Sequence, residues 1–256
     1  MLGIYFSGTG NSKYVLEVFL NKLDSSSSIC AIENKNVFEF IAQNDEIVFS
    51  YSVQFSNIPK MMKDFIDNNQ QLWKNKKIFV IATMGLFSGD GAGILGRRLK
   101  KYGAEIIGGL HLRMPDTIAD AKVLKHSLEK NKELVRRAED KIERAVYRIQ
   151  NGKMPREGMG PLYHFAGLFG QRLYFYGKTR KYTDKLKIDL QKCIGCGGCA
   201  ELCPMKNISM ESKLPHAGDQ CTMCYRCVNV CPVQAVTLLG KHVTQQWTIT
   251  NYLNDL

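Results

Sequence analysis

The sequence predicts an α/β protein with a doubly wound, parallel, five-stranded sheet, followed by a small α+β domain. Three observations support this fold class. Short apolar runs alternate with amphipathic helical patterns over residues 1–150, as they do when helices connect parallel strands. A loop of small polar residues joins the first strand to the first helix. Two cysteine runs of the same internal spacing lie 28 residues apart within residues 188–240, which indicates a duplicated small domain.

Five apolar runs are the predicted strands. They cover residues 2–6, 29–32, 45–51, 77–83 and 104–112. Helical spacing of apolar residues predicts four helices, over residues 11–23, around Met62, Phe65 and Ile66, over 92–102 and over 117–150. The fourth helix is the last element of the first domain. Because such sheets bind ligands outside the carboxyl ends of their strands, the loops that follow the strands are the candidate site.

The loop after the first strand is a candidate phosphate site. It reads Ser7-Gly8-Thr9-Gly10-Asn11-Ser12. Backbone N–H groups at a helix N-terminus attract anions, hydroxyls add donors, and glycines allow a close approach. The loop lacks the Gly-Lys-Ser/Thr ending of a Walker A loop, and Lys13 stands where a dinucleotide loop has its third glycine. The alternative is a turn that binds nothing.

Residues 6–12, at the first strand-to-helix turn, resemble the FMN phosphate loop of flavodoxins. The resemblance implies a flavodoxin-like fold and bound FMN, with the flavin ring between the loops at the ends of the third and fourth strands. The residues that it implicates there are Ser50, Tyr51, Ser52, Phe55, Thr83, Met84, Gly85, Phe87 and Gly89. Gln54 stands where that family often has an aromatic residue, so the aromatic neighbour of the ring stays open among Tyr51, Phe55 and Phe87.

The two cysteine runs are the most specific motif in the chain. Residues 193–204 and 221–232 each read C-x2-C-x2-C-x3-C-P. This pattern resembles that of bacterial ferredoxins, in which three cysteines of a run bind one [4Fe-4S] cluster and the fourth binds the other cluster. The expected ligands are Cys193, Cys196, Cys199 and Cys231 for the first cluster, and Cys221, Cys224, Cys227 and Cys203 for the second. Zinc and disulfides are the alternatives.

Composition favours a cytoplasmic protein. No apolar run reaches the roughly 18 residues of a membrane span. The first six residues have neither the charged nor the long apolar region of a signal peptide, so we expect the thiols to be in a reducing compartment. The ninth cysteine, Cys30, is expected to be a small buried residue of a strand.

The formal charge of +11 is concentrated in the middle of the chain. Residues 97–192 carry 23 Lys and Arg against 11 Asp and Glu, whereas the flanking segments are close to balance. Two clusters with their eight thiolates would remove about four units of charge. The basic middle favours acidic redox partners, although it also fits a solvated helix face. No nucleic-acid motif accompanies it, so nucleic acid is not an expected partner.

Residues 151–187 form a basic, aromatic connector between the two domains, and residues 241–256 form a tail without recognisable chemistry. Residues 161–176 are apolar and aromatic, and residues 178–181 are basic. We expect a helix buried between the domains, where it shields the cofactors from water. Contact of this basic amphipathic segment with a membrane surface is the alternative.

The chain as a whole resembles the fused flavodoxin and bacterial ferredoxin proteins of anaerobic bacteria and archaea. The resemblance implies a protein that relays electrons between two [4Fe-4S] clusters and FMN, with redox proteins as partners. One alternative is an FMN-dependent reductase of a small molecule that the clusters feed. Another is a regulatory module whose clusters sense oxygen and whose flavodoxin-like domain is empty. The sequence offers no acid, base or nucleophile constellation that would identify a substrate.

Overall fold

The computed structural model describes residues 1–122, 125–169, 173 and 185–253. Its main sheet has five strands, which are β1 (Leu2–Phe6), β2 (Ser28–Ala31), β3 (Glu46–Ser52), β4 (Lys77–Met84) and β5 (Glu105–Arg113). Their order is β2-β1-β3-β4-β5, and each neighbouring pair is parallel. This is the flavodoxin-like order, so the predicted fold class is confirmed.

Helices cover both faces of this sheet. One face carries α1 (Asn11–Leu23) and α5 (Leu128–Gln150), and the other carries α2 (Val37–Ala42), α3 (Lys60–Asn68) and α4 (Gly91–Lys101), with a short 3₁₀ helix at Gln70–Leu72. Because both faces are buried, the strands are apolar on both sides. Ile4 and Phe49 belong to the core under α2, α3 and α4, whereas Val48 and Phe79 belong to the core under α1 and α5. The two layers fix the loops at the carboxyl edge of the sheet.

Helix α5 begins at Leu128 and not at Thr117, where the apolar spacing predicted it. Ser127 caps this helix, because its Oγ accepts a hydrogen bond from the Lys130 amide at 3.3 Å. The segment before the cap runs along the C-terminal part of the chain, where Asp120 Oδ2 accepts hydrogen bonds from the amides of Leu238 and Leu239. Contacts with residues more than one hundred positions away replace the predicted first turns of the helix.

The connector contains a short helix, α6 (Pro161–Gly167), which packs against the loop before α4. A Cβ placed on Gly89 would lie 2.2 Å from Cα of Gly167. Leu162 is 82% exposed, Phe165 58% and Phe169 66%, so the expectation of a helix buried between the domains is wrong for these residues. The basic residues 178–181 lie outside the described residues. Within the described part of the chain, no helix is both long enough and apolar enough to cross a bilayer.

The small C-terminal domain is built from two short antiparallel pairs and two short helices. Strand β6 (Lys187–Ile188) pairs with β9 (Val236–Thr237), and β7 (Ile208–Glu211) pairs with β8 (Leu214–Ala217). Helices α7 (Gly198–Glu201) and α8 (Arg226–Val230) each begin inside a cysteine run. A few apolar side chains, among them Val228 and Leu238, form its core together with cysteines. The last element is α9 (Thr250–Leu253), whose Tyr252 packs against the core under α5.

Candidate functional site

The loop between β1 and α1 is a tight, buried turn at the carboxyl edge of the sheet. Gly10 has φ = 96°, a left-handed conformation that glycine adopts without strain, and it precedes α1 without a side-chain cap. The Gly10 amide donates to Ser7 Oγ at 3.1 Å. The first-turn amides of α1 have no acceptor within the helix and carry its positive dipole end. Ser7, Thr9, Asn11 and Ser12 are all buried around them.

Hydroxyl groups from β3 and β4 hold this loop in place. Ser50 Oγ donates to the carbonyl of Ser12 at 2.7 Å. Ser12 Oγ lies 2.9 Å from Thr83 Oγ1, which donates to the carbonyl of Tyr51 at 3.3 Å. All of these groups are buried. The structure thus brings together predicted site residues from three neighbouring strands, because β1, β3 and β4 end side by side.

Two buried polar atoms, one in this loop and one in the loop after β4, have no hydrogen-bond partner among the described residues. Asn11 Nδ2 donates to the carbonyl of Pro115 at 2.8 Å, but Asn11 Oδ1 is buried and unpaired. The hydroxyl of Ser88, in the loop after β4, is also buried and unpaired. An unsatisfied buried polar group costs about 1–3 kcal/mol. A polar ligand bound at this edge of the sheet would satisfy such atoms.

The loop after β3 is a sharp turn that the sequence did not predict. Gln54 and Asn57 exchange backbone hydrogen bonds at 3.0 and 2.8 Å. Between them, Phe55 and Ser56 have φ values of 50° and 56°, in the left-handed region that few non-glycine residues occupy. Phe55 is half-buried in this turn. Ser52, just before it, is also half-buried.

The predicted residues of the loop after β4 and the three aromatic candidates differ in how deeply they are buried. Tyr51 is fully buried, and its hydroxyl donates to the carbonyl of Gly91 at 2.6 Å, so its ring lies in the core. Met84 is also buried, and Gly85 is half-buried. Phe87 is exposed at the tip of the loop. Of the three aromatic candidates, Phe55 and Phe87 are the two whose side chains lie on the flanking loops.

The cysteines of the two runs gather into two groups of four. Cys193, Cys196, Cys199 and Cys231 line one cavity, and Cys203, Cys221, Cys224 and Cys227 line the other. Each group takes three cysteines from one run and the last from the other, as the ferredoxin resemblance implies. All nine cysteines are free thiols. Among the described residues, no three His, Cys, Asp or Glu side chains converge on the position of a single metal ion.

Backbone amides point at four of these sulfurs in a pattern that repeats every 28 residues. Gly195 N donates to Cys193 Sγ at 3.4 Å and Met223 N to Cys221 Sγ at 3.3 Å. The amides of Asn207 and Ala235 donate to Cys203 Sγ and Cys231 Sγ, both at 3.2 Å. Hydrogen bonds to cluster sulfurs are one of the factors that set reduction potentials. Burial also raises the pKa of the Cys224 thiol to about 11, so metal binding there must displace a proton.

The second cysteine run lies directly on the two loops at the carboxyl edge. A Cβ placed on Gly8 would lie 2.0 Å from the carbonyl oxygen of Cys224. Gln54 Nε2 donates to the carbonyls of Thr222 and Met223 at 3.1 and 3.0 Å. The amide of Met61 donates to Thr222 Oγ1 at 3.2 Å. The sequence showed only that Gln54 departs from the usual aromatic residue, and the structure gives it a contact with the cysteine run.

Arg226, between the second and third cysteines of the second run, ties the two domains together. Its Nε and Nη2 donate to the carbonyl of Ser7 at 3.0 and 2.8 Å. Nη2 also pairs with Glu33, and the guanidinium lies over the ring of Phe6, 5.5 Å from its centroid. Both members of the ion pair are about four-fifths buried, at 20% side-chain exposure. Sequence reasoning missed this residue, although its place between two cysteines of the run was a signal.

The C-terminal tail closes the other side of the same loop. The carbonyl of Thr9 accepts a hydrogen bond from the Ile249 amide at 2.9 Å. A Cβ on Gly10 would lie 2.3 Å from Ile249 Cγ2. The glycines of the loop were expected to admit a phosphate. In the structure, the missing side chains of Gly8 and Gly10 also leave the space in which Cys224 and Ile249 pack against the loop.

A second contact that the sequence did not reveal fastens the small domain to the segment after β5. Tyr225 Oη donates to Asp120 Oδ1 at 2.9 Å, within the buried interface. Burial and the neighbouring carboxylate raise the pKa of Tyr225, so the phenol stays protonated and remains a donor. Asn229 Nδ2 donates to the carbonyl of Thr117 at 3.2 Å. Three loops at the carboxyl edge therefore all contact the second cysteine run or the helix it begins.

Residues 2–135 match the family model of the flavodoxin domain, and residues 186–238 match that of the 4Fe-4S dicluster domain. No curated protein shows significant similarity to the chain. Similar solved structures include the two-electron reduced flavodoxin of Megasphaera elsdenii, which is 23% identical over 45% of this chain and 89% of that one, with a TM-score of 0.41. Oxidised Flavodoxin 2 of Bacillus cereus is 17% identical over 59% of this chain and 97% of that one, with a TM-score of 0.44.

Proposed function

The chain belongs to the flavodoxin domain family and carries a 4Fe-4S dicluster domain behind it, and we propose that it relays electrons between two [4Fe-4S] clusters and FMN. The two domains give the protein an electron-transfer role, and they imply FMN and two clusters as its cofactors, as predicted. The relay itself is the proposal. It is supported by the contact between the second cysteine run and the loop at residues 7–12, where Gly8 meets the carbonyl of Cys224.

The residues at the carboxyl edge fit FMN. The uncapped N-terminus of α1, with its positive dipole end and buried hydroxyls, suits a phosphate. The unpaired Asn11 Oδ1 and Ser88 Oγ supply polar atoms that a ligand would satisfy. We propose that residues 7–12 hold the phosphate, with Ser50 and Thr83 fixing the loop. The remaining predicted positions, at Ser52, Phe55, Gly85 and Phe87, would lie along the flavin.

The two groups of four cysteines fit two cubane clusters. We propose that Cys193, Cys196, Cys199 and Cys231 hold the first cluster, and that Cys203, Cys221, Cys224 and Cys227 hold the second. The repeated N–H···S hydrogen bonds would stabilise the thiolate charge in both. Because eight ligands must stay reduced, we place the protein in the cytoplasm.

FMN exchanges electrons singly or in pairs, whereas each cluster exchanges one, so the pair of cofactors connects two kinds of redox chemistry. The residues between the second cluster and the flavin loops have two tasks. Gln54 and Arg226 fix the distance between the two sites through hydrogen bonds to backbone carbonyls of the other domain. Because the acceptors belong to the backbone, the position of these bonds does not depend on the rotamer of an accepting side chain. Cys227 and Thr222 are buried at the contact, and so are Ser7, Thr9, Asn11 and Ser12 of the loop, which limits the access of water between the two sites.

Cofactor content and rapid kinetics test this function together. Anaerobically purified protein should contain about eight iron and eight sulfide, two [4Fe-4S] centres, and one FMN. After rapid mixing with a reductant, flavin and cluster absorbance should change in coupled phases whose rate does not depend on protein concentration. Protein that carries both clusters but takes up no FMN would instead support the regulatory alternative.

A further inference from the structure

The connector exposes a row of apolar side chains that begins on α6, which we call the apolar stripe. Its four residues follow one another at helical spacing, and each is more than half exposed: Leu162, Phe165, Phe169 and Leu173. The rings of Phe165 and Phe169 stack with their centroids 6.2 Å apart, so they present one aromatic surface. Grouped apolar side chains at a surface mark an interaction site, whereas single ones do not.

The other side of α6 is fixed on the flavodoxin domain. Gly167 packs against Gly89, where an added Cβ would lie 2.2 Å from Cα of Gly167. His164 Nδ1 lies 2.9 Å from Asp90 Oδ2, and the same oxygen pairs with Arg97 of α4. Because these contacts hold that side of the helix, α6 would have to break them to turn the apolar stripe inward. The stripe therefore belongs to the outer surface of the protein.

Basic groups accompany the apolar stripe. Asp90 is fully buried, whereas Arg97 and His164 reach solvent, so this cluster presents its basic members at the surface. Arg156, in the segment that leads into α6, is exposed. Residues 151–187 carry eight Lys and Arg against two Asp and Glu. This charge is complementary to anionic lipid headgroups, which attract clustered basic residues.

We propose that the apolar stripe docks the protein on the surface of a membrane that contains anionic lipids. Leucine and phenylalanine side chains along one side of a helix, with basic groups beside them, are typical of helices that lie in the headgroup region of a bilayer. A helix surface is convex, so a protein partner would need a matching apolar groove, whereas a bilayer takes up such a surface without one. The inference goes beyond the proposed relay and does not depend on it.

The test measures co-sedimentation of the anaerobic holoprotein with vesicles of phosphatidylcholine, alone or with about 30% phosphatidylserine. The stripe variant is Leu162→Ser with Phe165→Ser. Its matched control is Tyr147→Ser with Leu190→Ser, because both residues are exposed apolar side chains outside the stripe. A separate variant, Phe165→Trp, is compared with the parent for fluorescence quenching by brominated lipids, which reports whether position 165 enters the bilayer.

The parent should bind the vesicles with phosphatidylserine at least about 10-fold more tightly than the neutral ones, and salt should reduce the difference. The stripe variant should bind them about 10-fold more weakly than the parent. The control should match the parent, and brominated lipids should quench the fluorescence that Phe165→Trp adds.

Three results would overturn the proposal. They are the absence of parent binding to the anionic vesicles, an equal loss in the control variant, and dimers in light scattering that disappear in the stripe variant, because a second copy would then cover the stripe. Cofactor content and cluster-to-flavin transfer, measured without vesicles, should be unchanged in the stripe variant. They report failure of the relay separately from failure of membrane docking.

Discussion

Replacing Arg226 with alanine should loosen the contact between the two domains without removing a ligand. Arg226 makes two hydrogen bonds to the Ser7 carbonyl and an ion pair with Glu33, and its side chain is four-fifths buried. Hydrogen bonds that involve a charged group contribute about 1.5–3 kcal/mol each, and partial exposure lowers that figure. We expect a loss of about 3 kcal/mol from the docking of the domains, roughly a 100-fold shift toward the undocked state.

Hydrogen exchange reads this shift directly. The amides of Met61 and Ile249, which are hydrogen-bonded to Thr222 Oγ1 and to the carbonyl of Thr9 across the contact, should exchange up to about 100-fold faster in Arg226→Ala. The matched control is Arg98→Ala, because Arg98 forms a similar partly buried pair with Asp67 inside the flavodoxin domain. That variant should lose stability but keep the interface protected. Unchanged protection of these two amides in Arg226→Ala would refute the reasoning.

Three further predictions concern packing, ligation and pH. Gly8→Ala should weaken the docking of the two domains by about 1–3 kcal/mol, because the added Cβ would clash with the Cys224 carbonyl. Gly160→Ala is the control, because its Cβ would lie 3.7 Å from the nearest atom. Hydrogen exchange of the interface amides should be faster in the first variant only. Cys203→Ser should perturb the electron paramagnetic resonance signal of the second cluster and Cys231→Ser that of the first, and the reverse pattern would contradict crossed ligation. Burial lowers the pKa of His111 to about 4, so the unfolded chain binds a proton at this residue before the folded protein does. The free energy of unfolding should therefore fall by up to about 3 kcal/mol as the pH drops from about 6.5 to 4. Denaturant unfolding curves of His111→Gln should lack this part of the pH dependence.

Local sequence patterns were sufficient to predict the five strands of the sheet and to identify the loops of the candidate site. The strands are apolar on both faces, and periodicity predicted the helices that follow four of them, whereas the short α2 after β2 was not predicted. The candidate phosphate loop could be proposed from the sequence because residues 7–12 are contiguous, and Gly10 does adopt the left-handed conformation that glycine allows. The cysteine spacing likewise predicted the grouping of Cys231 with the first run, which the structure shows around one cavity.

Long-range contacts could not be predicted in the same way. Asp120 binds the amides of Leu238 and Leu239 and the hydroxyl of Tyr225, and this displaces the start of α5 from Thr117 to Leu128. No local period marks such a contact, since the partners lie more than one hundred residues apart. The aromatic connector was expected to be buried because its residues are apolar, yet Leu162 is exposed: hydrophobicity does not by itself show which surface covers a side chain.

The relay is tested most directly by single-mixing stopped flow on the anaerobic holoprotein with a limiting reductant. Absorbance is followed at wavelengths that separate the clusters from the flavin. Because Cys224 lies against Gly8, the account predicts that cluster bleaching and flavin reduction are linked by a first-order step, independent of protein concentration, which slows in Arg226→Ala. Full reduction of both clusters with no change in bound flavin would contradict it.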